Sequence, residues 1–166
     1  MIFEIGQTLV YPHHGAATIT EVAVRSIRGV DTTYVTLAIH TSDLVISLPA
    51  TSIEAVGLRD VIDGDGVLAV YTVLRGGISD ESTNWTRRFK ANQEKISSGN
   101  VYAISEVVRD LSRRQHNTGL SSGEKTMLVQ ARRVVVAELA LALGISEDEA
   151  QFALEGVIAE VTAPNS

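Results

Sequence analysis

Apolar and polar residues alternate with a period of two through the first fifty positions, and take on a helical period after about residue 57. Thr8-Leu9-Val10-Tyr11 reads as a strand that ends at Pro12, which has no N–H to give a ladder. His13-His14-Gly15 supplies a turn. Residues 16–24 resume a strand whose apolar members are Ile19, Val22 and Val24. Arg28-Gly29-Val30-Asp31 is the next break, and residues 34–39 are β-branched and aromatic, a good strand composition. Ser42-Asp43 then turns into Leu44-Val45-Ile46-Ser47-Leu48, which Pro49 stops. Four or five short strands joined by tight turns predict a small antiparallel barrel or a strongly bent sheet. Such a sheet leaves an open edge on which a partner strand can dock.

The helical part begins with residues 64–74, which place Val67, Leu68, Tyr71 and Leu74 on one face before Gly76-Gly77 ends the run. Residues 83–97 form a second helix with Gly99 as its stop. Residues 101–114 form a third, with Val101, Ile104, Val108 and Leu111 at core spacing. Ser121-Ser122-Gly123-Glu124 fits a capping box, Ser121 capping and Glu124 returning the bond, for a helix that runs to Leu143 and Gly144. Ser146-Glu147-Asp148-Glu149 repeats the start signal for a last helix ending near Val161. The fold class is therefore α+β in two domains: a small antiparallel β unit over residues 1–55, and an all-α bundle over residues 56–166.

Charge changes the picture more than composition does. The chain has 166 residues and a formal net charge of -6 at pH 7, which by itself argues against nucleic acid. The cations are concentrated, however: residues 83–133 carry ten of the fourteen Lys and Arg and only four acids, whereas residues 134–166 carry six acids and no Lys or Arg. Counterion release responds to a local patch, so an acidic protein can still hold a phosphate backbone. Cysteine is absent, which excludes disulfides and thiolate chemistry and fits a reducing compartment. Met1-Ile2-Phe3-Glu4 lacks the start of a signal peptide, and no stretch approaches a bilayer span, so a cytoplasmic protein is expected.

No catalytic constellation assembles. His13 and His14 are adjacent and point to opposite sides of an extended chain, and His40 and His116 have no acid at ligand spacing, so neither metal nor cofactor is expected. Asp63-Gly64-Asp65-Gly66 has the start of a calcium loop without the bidentate Glu, and is better read as a capped helix start. Residues 119–126 end like a P-loop but lack its first glycine and the preceding strand. An enzyme reading gains nothing from these residues.

The second helix is different. Trp85, Phe89 and Ile96 fall in one stripe, so periodicity alone makes Trp85 a core residue. Two features oppose that. Trp85 lies in the first turn, where a side chain can project past the packed body, and Arg87, Arg88 and Lys90 surround it. A flat aromatic among cations at a helix N-terminus suits contact with DNA backbone and base stack. Lys125, in the first turn of its helix, stands against the dipole preference. Arg109, Arg113 and Arg114, and Arg132 with Arg133, read equally as a solvated face.

The ordered motifs Met1-Ile2-Phe3, Gly6 and Val10-Tyr11-Pro12-His13-His14-Gly15-Ala16 resemble the CarD family of bacterial RNA polymerase regulators. So do residues 83–92, Val107-Val108-Arg109-Asp110-Leu111 and Leu120-Ser121-Ser122-Gly123-Glu124-Lys125. The resemblance covers residues 1 to about 143 and is closest to actinobacterial members. It implies that residues 1–55 form a Tudor-like module gripping the β subunit of RNA polymerase, with contacts at Arg25, Ile46, Ser47 and Pro49. Members commonly carry a basic residue where this chain has Ser47, which implies a weaker or differently distributed polymerase contact. It also implies that the helical domain acts at the upstream edge of the transcription bubble. There Trp85 would wedge into the minor groove while Asn84, Arg87, Arg88, Lys90 and Lys125 contact the DNA, with little sequence preference. A monomer that lengthens the life of the open complex, without small-molecule substrate or membrane partner, is the expected protein. The alternative is a protein–protein adaptor with no direct DNA contact.

Overall fold

The computed structural model describes residues 2–12, 14–77 and 84–162. His13 and Thr83, expected in a turn and at a helix start, lie outside the described residues. The chain divides into two compact units, Met1–Val61 and Ile62–Ser166.

The first unit is an antiparallel five-stranded sheet in the order β4-β3-β2-β1-β5. Its strands are β1 (Thr8–Tyr11), β2 (Gly15–Ile27), β3 (Val30–Ile39), β4 (Val45–Pro49) and β5 (Arg59–Asp60). The expected break at residues 28–31 shrinks to a two-residue turn. Arg28 (φ 54) and Gly29 (φ 78) both take positive φ, the backbone twist that matches two paired strands, so Ile27 and Val30 still face each other. The β2–β3 register shifts between Ile19 and Glu21, a local bulge of the kind that increases bending. One face buries Leu9, Ala17, Ile19, Val35 and Leu37, all fully enclosed.

The first unit extends beyond residue 55. After β4 the chain makes a 3-10 turn (Ala50–Ser52) and a one-turn helix α1 (Ile53–Val56), ended by Gly57 at φ 81. It then returns as β5 against β1, pairing Leu9 with Asp60 and Val10 with Arg59. Ile53 and Leu58 enter the sheet's core. The division after Val61, later than the expected boundary, follows from this return strand.

The second unit contains α2 (Gly64–Arg75), α3 (Trp85–Ser97), α4 (Val101–Asn117), α5 (Ser122–Leu143) and α6 (Glu147–Thr162). Each start has a chemical cause. Asp63 accepts from the Gly66 N–H, and Asn100 from the N–H groups of Tyr102 and Ala103. Ser121 and Glu124 close a reciprocal capping box, and Ser146 accepts from the Glu149 N–H. Gly144 in the left-handed region ends α5. The core is shared by α2, α4, α5 and α6, with Val70, Ile104, Val107, Leu111, Val135, Leu139 and Leu154 essentially sealed from solvent. Among the described residues no helix is long and apolar enough to cross a membrane.

Candidate nucleic-acid interface

The junction of the α3 and α5 N-termini is built from aromatic stacking and one buried carboxylate. The Asn84 side chain accepts from the Arg87 N–H at 3.2 Å and so starts α3 with Trp85 as its first helical residue. Four residues on, Phe89 lies on the same side of the helix. The two rings stack, with centroids 4.8 Å apart and planes 16° from parallel. Phe89 in turn lies against the first turn of α5, where Gly123 leaves room: a Cβ there would stand 3.4 Å from the Phe89 ring.

Glu124 joins the two helices. Its Oε1 accepts from the Trp85 indole N–H at 3.2 Å and from the Ser121 hydroxyl at 3.1 Å. Its Oε2 faces the Arg88 guanidinium at 3.4 Å and that of Arg114 at 3.8 Å. Burial pushes the Glu124 carboxyl up, but the Ser121 N–H and hydroxyl, the indole N–H and the Arg88 charge outweigh it and hold the group below its ordinary value.

Trp85 is 44% exposed, although the stripe it shares with Phe89 and Ile96 runs into the core. The ring is docked on one side, against Phe89 and Glu124, and open on the other. Arg87, Lys90 and Lys125 are exposed, and Asn84 is exposed while capping. Arg88 behaves differently from its expected place on the DNA backbone. At 6% exposure it turns inward to Glu124, because the inward face of α3 is centred on Arg88 and Asn92. Position 88 and position 92 are one helical turn apart. That spacing was readable, had polar residues been admitted to an inward stripe.

The remaining cations sort cleanly. In the second unit, Arg75 pairs with Glu160, Lys95 with Glu106, Arg109 with Asp110 and Arg132 with Glu155. Arg109 and Arg113 also donate to the carbonyls of Val73 and Leu74 at the end of α2. Among the described residues of this unit, Arg87, Lys90, Lys125 and Arg133 are the cations left without an acid or hydrogen-bonding partner. Three of these four flank the Trp85–Glu124 junction in sequence.

In the first unit, register decides which candidates share a surface. Directly opposed residues in an antiparallel pair lie on one face. Arg25 opposes Thr32, Ser47 opposes Thr36 and Pro49 opposes Tyr34, and these positions share one parity. The Arg25 guanidinium lies 5.0 Å from the centroid of the Tyr34 ring, and the Thr36 and Ser47 hydroxyls are 3.3 Å apart. Ile46 opposes Leu37 instead and packs against the sheet's core. Ile46 therefore sits on the face opposite Arg25, Ser47 and Pro49, which corrects its expected grouping with them: one step along a strand reverses the side chain.

Residues 69–155 match the family model "CarD, C-terminal domain", and residues 3–62 match "CarD-like/TRCF RID domain". The chain belongs to the CarD family. A Bacillus subtilis (strain 168) protein named "Putative transcription factor YdeB" is 30% identical over 148 residues, covering 89% of this chain and 97% of that protein. The solution NMR structure of the 72-residue N-terminal domain of Myxococcus xanthus CarD is 26% identical, with a TM-score of 0.30. It covers 35% of this chain and 77% of that one. With both CarD modules in order and a relative matched over nearly its whole length, this chain is a transcription regulator of the CarD family.

Proposed function

We propose that this CarD protein binds the RNA polymerase β subunit through its first unit and stabilises the promoter open complex through its second. In this reading Trp85 wedges into the minor groove at the upstream edge of the bubble, and Arg87, Lys90 and Lys125 hold the flanking phosphates. Asn84 orders the first turn of α3, and Arg88 acts from inside. The sheet face carrying Arg25, Ser47 and Pro49, with β4 at the edge of the sheet, is the polymerase-facing surface.

One observation carries the proposal: among the described residues, the unpartnered cations Arg87, Lys90 and Lys125 lie near the starts of α3 and α5 beside a half-exposed indole, in a net-acidic chain. Helix N-termini and cations attract phosphate, and a planar apolar side chain can enter an unstacked base step. Restacking at a bubble edge is favourable by a few kcal/mol per step, so a wedge opposes closure only if something holds it there. Tethering by the first unit supplies the local concentration, and the DNA contact itself can be weak.

Charge reversal tests this against the adaptor reading. Lys90→Glu with Lys125→Glu should shorten open-complex lifetime and flatten its dependence on salt. The log–log slope should drop by about one for each phosphate that is no longer neutralised. Lifetimes and salt slopes identical to wild type would favour the adaptor.

A further inference from the structure

We propose that Glu124, backed by Arg88, is the positioning residue of this interface, fixing the pose of the Trp85 indole before DNA is met. The inference rests on the reading of Trp85 as the DNA wedge.

Capping α5 does not require what surrounds Glu124. A capping box asks the glutamate to return a bond to Ser121 and is commonly solvated. Here the residue is 3% exposed, and its two oxygens also hold the indole N–H of one α3 residue and the guanidinium of another. The stack on Phe89 fixes the plane of the indole but lets the ring slide or turn over. A hydrogen bond to a buried acceptor selects one edge and one register. Arg88 keeps that acceptor charged and in place, and Arg114 lies 3.8 Å from the same oxygen. The wedge is thereby ordered in advance, so less conformational freedom is lost on binding. The indole N–H is also already engaged within the protein, so Trp85 meets bases by shape and stacking without hydrogen-bond readout.

The test uses the full chain, whose single tryptophan makes the pose visible without DNA. Glu124→Gln should raise acrylamide quenching of Trp85 at unchanged far-UV circular dichroism. On preformed polymerase–promoter complexes it should shorten open-complex lifetime about fivefold, the equivalent of one typical hydrogen bond. It should cause no further loss in the Trp85→Phe variant, which has no N–H to hold. Unchanged quenching, or an equal loss in both backgrounds, overturns the inference and leaves Glu124 a fold-holding group. Should Glu124→Gln unfold the helical unit, Trp85→Phe alone decides, since it spares the Ser121 and Arg88 contacts. A wild-type lifetime for Trp85→Phe beside a shortened one for Trp85→Ala overturns the positioning role. Wild-type lifetimes for both variants remove the wedge reading instead, and the positioning role with it.

Discussion

The Trp85 indole nitrogen and a Glu124 carboxylate oxygen stand 3.2 Å apart across thirty-nine residues of sequence. This one bond couples the cap of α5 to the exposed tip of α3, so changes at several neighbouring positions should have separable effects on folding and on function.

Arg87 and Arg88 are adjacent and should behave oppositely. Arg88→Ala leaves Glu124 buried beside an empty site and should destabilise the helical unit by about 3 kcal/mol, as expected for a broken buried ion pair. Arg87→Ala removes an exposed, unpartnered charge and should leave stability within about 0.5 kcal/mol of wild type while weakening promoter complexes. Urea unfolding followed by Trp85 fluorescence separates the two.

Acid should release the same joint. The Glu124 carboxyl titrates below its ordinary value of 4.5 in the folded chain, so the stability it contributes is present above that value. That contribution is lost as pH falls through the lower folded-state value. Melting temperature should therefore fall below about pH 4.5 more steeply for the wild type than for Glu124→Gln, whose amide does not titrate in that range. Parallel pH profiles would count against the Glu124 assignment.

Gly66→Ala should destabilise in spite of the better helix propensity of alanine, about 1 kcal/mol. A Cβ there would stand 2.7 Å from the Ile62 Cβ and 3.0 Å from the Tyr102 hydroxyl, and overpacking of that kind typically costs about 1–3 kcal/mol. Thermal unfolding of the variant reads the balance.

Much of this was legible in the sequence, and the exceptions have physical causes. β-branched alternation marked β3, and serine followed by glutamate three residues on marked the start of α5, because these signals are local. Strand β5 left no trace, since two polar residues, Arg59 and Asp60, show no period and pair only because Leu9 and Val10 are there to receive them. Arg88 read as a surface cation because nothing within α3 announces that its counter-charge waits thirty-six residues later. The resemblance implies both Ile46 and Ser47 as polymerase contacts, and only the strand register shows that the two neighbours face opposite sides of the sheet.

That separation is testable in the first unit. Ile46→Ala should lower the melting temperature of the sheet, since Ile46 packs against its core. Arg25→Glu should cost no more than about 1 kcal/mol, the worth of its exposed contact with the Tyr34 ring, and weaken binding to polymerase, and Ser47→Arg should strengthen it. Pull-down or surface-binding assays with purified RNA polymerase report the last two.

The measurement that bears most directly on the wedge is open-complex lifetime with Trp85→Ala. The indole is half exposed and lies at the end of its stripe, so the variant should keep its circular dichroism and its binding to polymerase. The lifetime of preformed open complexes should drop by about tenfold, the equivalent of about 1.4 kcal/mol at the bubble edge. A lifetime equal to wild type, or a helical unit that no longer folds, would contradict the assignment of Trp85 as the promoter wedge.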